Sequence, residues 1–143
     1  MIHVILVTHG GLAEELLAAA RTISGELPGF RALTLDWQDG LEAARQRISG
    51  EIAALPAGAE IIILTDMYGS TPTNAALDLA EAGRIEVISG VNLPMVVRLA
   101  CSSAPGMPVT DVARWLEIKG RRSISRARPP EEPAGSGSGA EGS

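Results

Sequence analysis

The segment "EIIILTD", Glu60 to Asp66, constrains the fold more than any other. Four aliphatic residues in a row, β-branched at three of them, read as a strand covered on both faces, and such strands belong to parallel sheets flanked by helices. "IHVILVT" at the N-terminus has the same character. Between these two runs, Leu12, Leu16, Leu17, Ala20 and Ile23 recur at helical spacing, and so do Leu41, Ala44, Ile48, Ile52 and Leu55. "FRALTLD" alternates like a half-exposed strand, and "RIEVISG" is a fourth strand. A helix starting at Thr71-Pro72 is expected to run to about Ala82, where Gly83 ends it; threonine caps and proline suits the first turn. "NLPMVVRLAC" and "VTDVARWLEI" supply two more helices, separated by Pro105, Gly106 and Pro108.

Strands that alternate with helices close into a parallel α/β sheet through right-handed crossovers. The two most apolar strands, first and third, take the centre, and the polar second strand an edge. The expected architecture is a flavodoxin-like, doubly wound sheet of parallel strands in the order 2-1-3-4. Ligands of such sheets bind beyond the carboxyl ends of the strands at the switch point, here between strands one and three.

Two side chains meet that prediction. His9 ends strand one and Asp66 ends strand three. At a strand spacing of about 4.8 Å, a hydrogen bond between them is feasible. A carboxylate that accepts a bond from one imidazole nitrogen fixes the tautomer and leaves the other with an exposed lone pair. Gly10 and Gly11 let the backbone approach closely, and the helix that follows turns free N–H groups toward an anion. The loop "YGSTP", Tyr68 to Pro72, brings two hydroxyls and a second helix start. Taken singly, a histidine or aspartate at a strand end is more often a cap; together at the switch point they read as a site for a phosphoryl group carried covalently on His9. Gly10, Gly69, Ser70 and Thr71 are its expected phosphate-binding residues. His3, six residues earlier, is expected to be structural.

Composition removes several other classes. One cysteine, Cys101, excludes an intrachain disulfide framework, fits a reducing compartment, and reads as a small buried hydrophobe. Two histidines and one cysteine without ligand spacing speak against a zinc site. "GGLAEE" lacks the dinucleotide fingerprint and "GSTP" lacks the lysine of a P-loop. Residues 1–118 carry seven basic and fourteen acidic residues, which argues against nucleic acid and permits a basic protein partner. No apolar run approaches the length of a membrane span, and the expected location is cytoplasmic. Residues 129–143, "PPEEPAGSGSGAEGS", have no core-forming content and are expected to be disordered.

At "VTHGGLAEELL", "ILTDMYGSTPTNAA" and "VISGVNLPMVV" the chain resembles the mannose-type EIIA domain of the bacterial phosphoenolpyruvate-dependent sugar phosphotransferase system (PTS). The resemblance extends from Met1 to about Arg126, and residues 1–128 are taken as the EIIA domain. It implies a phosphocarrier that accepts a phosphoryl group from phospho-HPr on His9. The group then passes to an EIIB protein for sugar uptake and phosphorylation. On the family pattern the phosphoryl group sits on Nε2 of His9 while Asp66 holds Nδ1. No cofactor and no metal are implied, and the membrane is reached only through permease components. The family is dimeric through an exchanged C-terminal edge strand, for which "RRSISRA" stands at the right place as an extra antiparallel strand. The family loop usually reads Asp-x-aromatic-Gly-Gly-Ser-Pro; here Ser70 replaces the second glycine and Thr71 the serine, so Ser70 is uncomfortable if that position needs a positive φ. Alternatives are a regulatory sensor whose signal is the phosphorylation state of His9, the phosphocarrier subunit of a dihydroxyacetone kinase, and a flavodoxin-like ligand-binding module without covalent chemistry.

Overall fold

The computed structural model describes residues 1–101 and 106–130. The elements are β1 (Ile2–His9), α1 (Leu12–Ser24), β2 (Phe30–Leu35), α2 (Leu41–Ala53), β3 (Glu60–Thr65), α3 (Thr71–Leu77), β4 (Ile85–Ser89), α4 (Leu93–Cys101) and α5 (Val109–Arg122). The four strands form one sheet in the order β2-β1-β3-β4, parallel at each junction. The doubly wound order expected from strand polarity is the observed one.

Both faces of the sheet are covered, which is why β1 and β3 are apolar without alternation. Val4, Leu6, Ile62 and Leu64 face a core shared with Leu17, Met95, Val96 and Leu116 of α1, α4 and α5. Ile5, Val7, Ile61 and Ile63 face the opposite core with Ala44, Ile48, Ala75 and Ala76 of α2 and α3. Each such aliphatic side chain withdrawn from water contributes about 1.5–3 kcal/mol. The central strands therefore hold the sheet, and with it the relative position of their carboxyl ends. β1 registers Val7 against Thr65 on one side and His9 against Leu35 on the other. That register sets the residues after Thr65 and Leu35 beside the end of β1.

Several local expectations differ. α3 stops at Leu77, five residues early. The following chain prefers a turn in which Glu81 N–H donates to Ile85 O, Arg84 N–H donates to Glu81 O, and Gly83 takes a φ of 79°. The Arg84 guanidinium bonds the Glu81 carboxylate twice, at 2.9 and 3.1 Å, and holds that carboxyl below its usual range. Ser70, not Thr71, occupies the position preceding α3, with Pro72 in the first turn. Cys101 is exposed at the end of α4, since the helix turns its inner face through Met95 and Val96. Leu12, Ile23 and Leu41 are likewise exposed, and Ala13, Leu17 and Ala20 form the inner stripe of α1.

α5 continues to Arg122, so Arg121 and Arg122 of "RRSISRA" are helical. Lys119, Arg121 and Arg122 complement the carboxyl end of the helix dipole, and Arg121 pairs with Glu117 one turn back at 2.9 Å. Gly120 is buried where α5 meets Met95; a Cβ there would stand 2.7 Å from the Met95 sulfur. Residues 124–130 form no strand within the chain, so the C-terminal edge strand is not part of this sheet. Residues 131–143 of the expected disordered tail, and Pro105, lie outside the described residues. Among those described, no helix is long and apolar enough to cross a membrane.

Candidate active site

The carboxyl ends of β1 and β3 deliver His9 and Asp66 to one point. Asp66 Oδ2 accepts two bonds from the same residue: the His9 backbone N–H at 3.0 Å and the ring Nδ1 at 2.8 Å. A carboxylate has no proton to give, so the proton in the shorter bond sits on Nδ1 and the lone pair is left on Nε2. Nε2 has no hydrogen-bond partner among the described residues. Both side chains are largely buried, at 17% and 13% exposure, which strengthens the bond relative to one in open water.

The turn from β1 into α1 is closed around this pair. Gly10 donates to Leu35 O at 3.1 Å and has a φ of 55°, a conformation that glycine adopts without cost. Gly11 has an ordinary φ of −86° and open space around its Cα, so only the first of the two glycines is required by geometry. The buried Thr8 hydroxyl accepts from Ala13 N–H at 2.7 Å and caps α1 from the preceding strand. The N–H groups of Gly11 and Leu12 have no partner among the described residues and lie at the positive end of the helix dipole, close to His9 in the chain.

The loop after β3 is held by one carbonyl. Met67 O accepts from Ser70 N–H at 3.2 Å, Ser70 Oγ at 2.6 Å and Thr73 Oγ1 at 2.7 Å. The single proton of Thr73 is thereby used, so Thr65 donates to Thr73 Oγ1 at 2.7 Å, joining the buried end of β3 to the start of α3. Gly69 takes the positive φ, 83°, and Ser70 sits at −86°. Ser70 is therefore free of backbone strain. Ser70 does not offer its hydroxyl to a ligand in this arrangement, because the proton is spent on Met67 O. The Thr71 hydroxyl makes no bond among the described residues, and Tyr68 and Met67 are exposed at 80% and 61%.

One residue at the site is absent from the sequence-based set. The ring of Trp37 stacks on the ring of His9, with centroids 4.5 Å apart and planes 12° from parallel. Trp37 follows β2 by two residues, and the β1–β2 pairing was the signal that could have placed it here. Its indole also lies over Gly10, 3.5 Å from where a Cβ would stand. His3 lies at the other end of β1, about 20 Å away along the strand, with its Nδ1 buried and without a hydrogen-bond partner among the described residues. Among the described residues no group of three or more His, Cys, Asp and Glu is placed to hold a metal ion.

A family model described as the fructose IIA component of the PTS, EIIA-man, matches residues 3–111. The chain belongs to this family. Over 126 residues it is 31% identical to the PTS sorbose-specific EIIA component of Lacticaseibacillus casei, covering 85% of this chain and 88% of that one. It is 26% identical over 136 residues to the mannose-specific EIIAB component of Escherichia coli K12, covering 93% of this chain and 42% of that one. The chain thus spans less than half the length of that EIIAB relative. Among solved structures, the mannose/sorbose-specific IIA subunit of Enterococcus faecalis superposes with a TM-score of 0.81 at 28% identity, over 91% of this chain and 97% of that one. The family expected from the three sequence motifs, and the sheet order expected from strand polarity, are those found.

Proposed function

We propose that this PTS EIIA component is a phosphocarrier whose His9 Nε2 takes a phosphoryl group from an HPr-like protein and gives it to an EIIB protein. The observation that carries the reading is the bond from Nδ1 to Asp66 at 2.8 Å, which leaves Nε2 with its lone pair. In the transfer, that lone pair attacks the phosphorus of the donor. The Nε2–P bond forms as the donor's bond to phosphorus breaks, and the bonding pair leaves with the donor. The Nδ1 proton stays in place, so the phosphorylated ring is cationic and Asp66 balances its charge. When the group leaves for the acceptor, the Nε2–P bonding pair returns to Nε2 and the ring is neutral again with its Nδ1 proton still bonded to Asp66, so the carrier is restored for another cycle. The phosphoryl oxygens are assigned to the N–H groups at the start of α1 and to Gly69 and Thr71 of the loop after β3; Ser70 acts by shaping that loop. Transfer between two proteins is mainly positioning and anion stabilisation.

The acidic body suits a donor with a positive face. The relatives' names specify sorbose, mannose and fructose, so the proposal is a phosphoryl relay for sugar uptake without a named sugar. A homodimer is proposed with it, and the segment after Arg122 is its exchanged strand. The test is phosphoryl flow from phosphoenolpyruvate through enzyme I and HPr. An acid-labile, alkali-stable phosphate on the wild type and none on His9→Ala is expected. A wild type that stays unlabelled with a matched HPr refutes the relay.

A further inference from the structure

Trp37 touches the His9 ring itself, and the transfer step leaves it without a role. It lies outside both cores and is 76% exposed, so burial does not account for its position. Its ring is instead applied to the imidazole of His9 at 4.5 Å and 12°. The turn that carries it is tied at both ends: Asp39 N–H donates to Asp36 O at 3.0 Å, and Asp36 N–H donates to Asp39 Oδ2 at 3.0 Å. Asp39 is in turn 3.5 Å from the Arg47 guanidinium on α2. The indole is presented from a closed turn, not from a free loop, and it lies against the Gly10 turn, 3.5 Å from where a Cβ would stand.

We propose that Trp37 is a positioning residue that sets the plane of the His9 ring. Asp66 holds the imidazole at one edge, through Nδ1, and that single bond still tolerates rocking of the ring plane about the Cβ–Cγ axis. The stack removes that freedom. The lone pair on Nε2 lies in the ring plane, so the plane fixes the direction along which phosphorus must approach. A ring held before the donor arrives does not have to be ordered during the transfer. The offset parallel geometry is one that aromatic pairs favour, and a cationic ring on an indole face adds attraction once the phosphoryl group is on. This inference rests on the phosphocarrier reading.

The test compares wild type, Trp37→Phe and Trp37→Ala with two donors, phospho-HPr and the small molecule phosphoramidate. The His9 ring-proton chemical shifts of each unphosphorylated protein are recorded alongside. Ring-current displacement of the His9 protons is expected in wild type and Trp37→Phe and lost in Trp37→Ala. The maximal rate of Trp37→Ala is expected to fall about 2- to 10-fold with both donors, the worth of one aromatic stack. The KM for phospho-HPr stays unchanged, and Trp37→Phe recovers most of the rate. Equal rates in wild type and Trp37→Ala overturn the inference. So does a loss confined to phospho-HPr with a raised KM, which makes Trp37 a docking contact. A wild type unlabelled by either donor refutes the phosphocarrier reading itself, and this inference falls with it.

Discussion

Asp66→Asn removes one charge and almost no volume, and the geometry around Asp66 gives its effect a magnitude. Oδ2 accepts from the His9 backbone at 3.0 Å and from Nδ1 at 2.8 Å, while Oδ1 is buried without a partner among the described residues. An amide has two ways to lie in this position. With its oxygen toward His9 it keeps both bonds, but they are now to a neutral acceptor, and the NH2 group is pushed into the partnerless position. With its NH2 toward His9 it opposes the backbone N–H and donates to Nδ1, which moves the ring proton to Nε2 and removes the attacking lone pair. A bond to a charged group is worth about 1.5–3 kcal/mol against about 0.5–1.5 for a neutral one. Adding the population lost to the unproductive orientation, the barrier rises by about 1.5–3 kcal/mol, or roughly 10- to 150-fold in rate. Rapid-quench transfer from labelled phospho-HPr measures it, with circular dichroism to verify that the variant is folded. A folded variant that transfers within twofold of wild type refutes the role given to Asp66.

Three further outcomes follow from the same geometry. Gly10→Ala should lose about 1–2 kcal/mol in urea denaturation because φ is 55° there, whereas Gly11→Ala, with φ −86°, should stay within about 0.5 kcal/mol; equal effects would contradict the turn described. Thr73→Val should cost about 1–3 kcal/mol by leaving the buried Thr65 hydroxyl unpaired, and the Thr65→Val/Thr73→Val double variant should recover part of it; additive losses would show that the two hydroxyls are not bonded. Glu81 is held below the usual carboxylate range by Arg84, so what that pair adds to stability is present at neutral pH and lost as pH falls through the folded carboxyl's range; Glu81→Gln should show a flatter acid limb, and an identical acid limb would refute the contribution.

The sheet was legible because its order follows from the burial each strand demands. "IHVILVT" and "EIIILTD" need cover on two faces, and "FRALTLD" needs it on one. His9 and Asp66 were legible for the same reason, since adjacent strands bring their ends together whatever the loops do. Features that depend on a single local competition were not. Helical spacing through Leu77 and Ala82 does not register that Glu81 and Arg84 gain more from a turn, which is where α3 ends. Whether position 70 needs a positive φ could not be read from the residues; Gly69 takes it. Trp37 was not legible because "DWQDG" has the composition of a polar turn, and only the pairing of Leu35 with His9 shows what that turn lies above. Ile118 to Arg122 stayed helical through Gly120, a residue that ordinarily weakens a helix, because its missing side chain admits Met95.

The central claim is that the phosphoryl group resides on Nε2 of His9 while Nδ1 keeps its proton. Nitrogen-15 histidine NMR of the protein after phosphorylation by phospho-HPr tests it directly. The expected spectrum shows phosphorus coupling on Nε2 of His9, a protonated Nδ1, and an unchanged His3. Coupling on Nδ1, coupling on His3, or no coupled histidine at all would contradict the account.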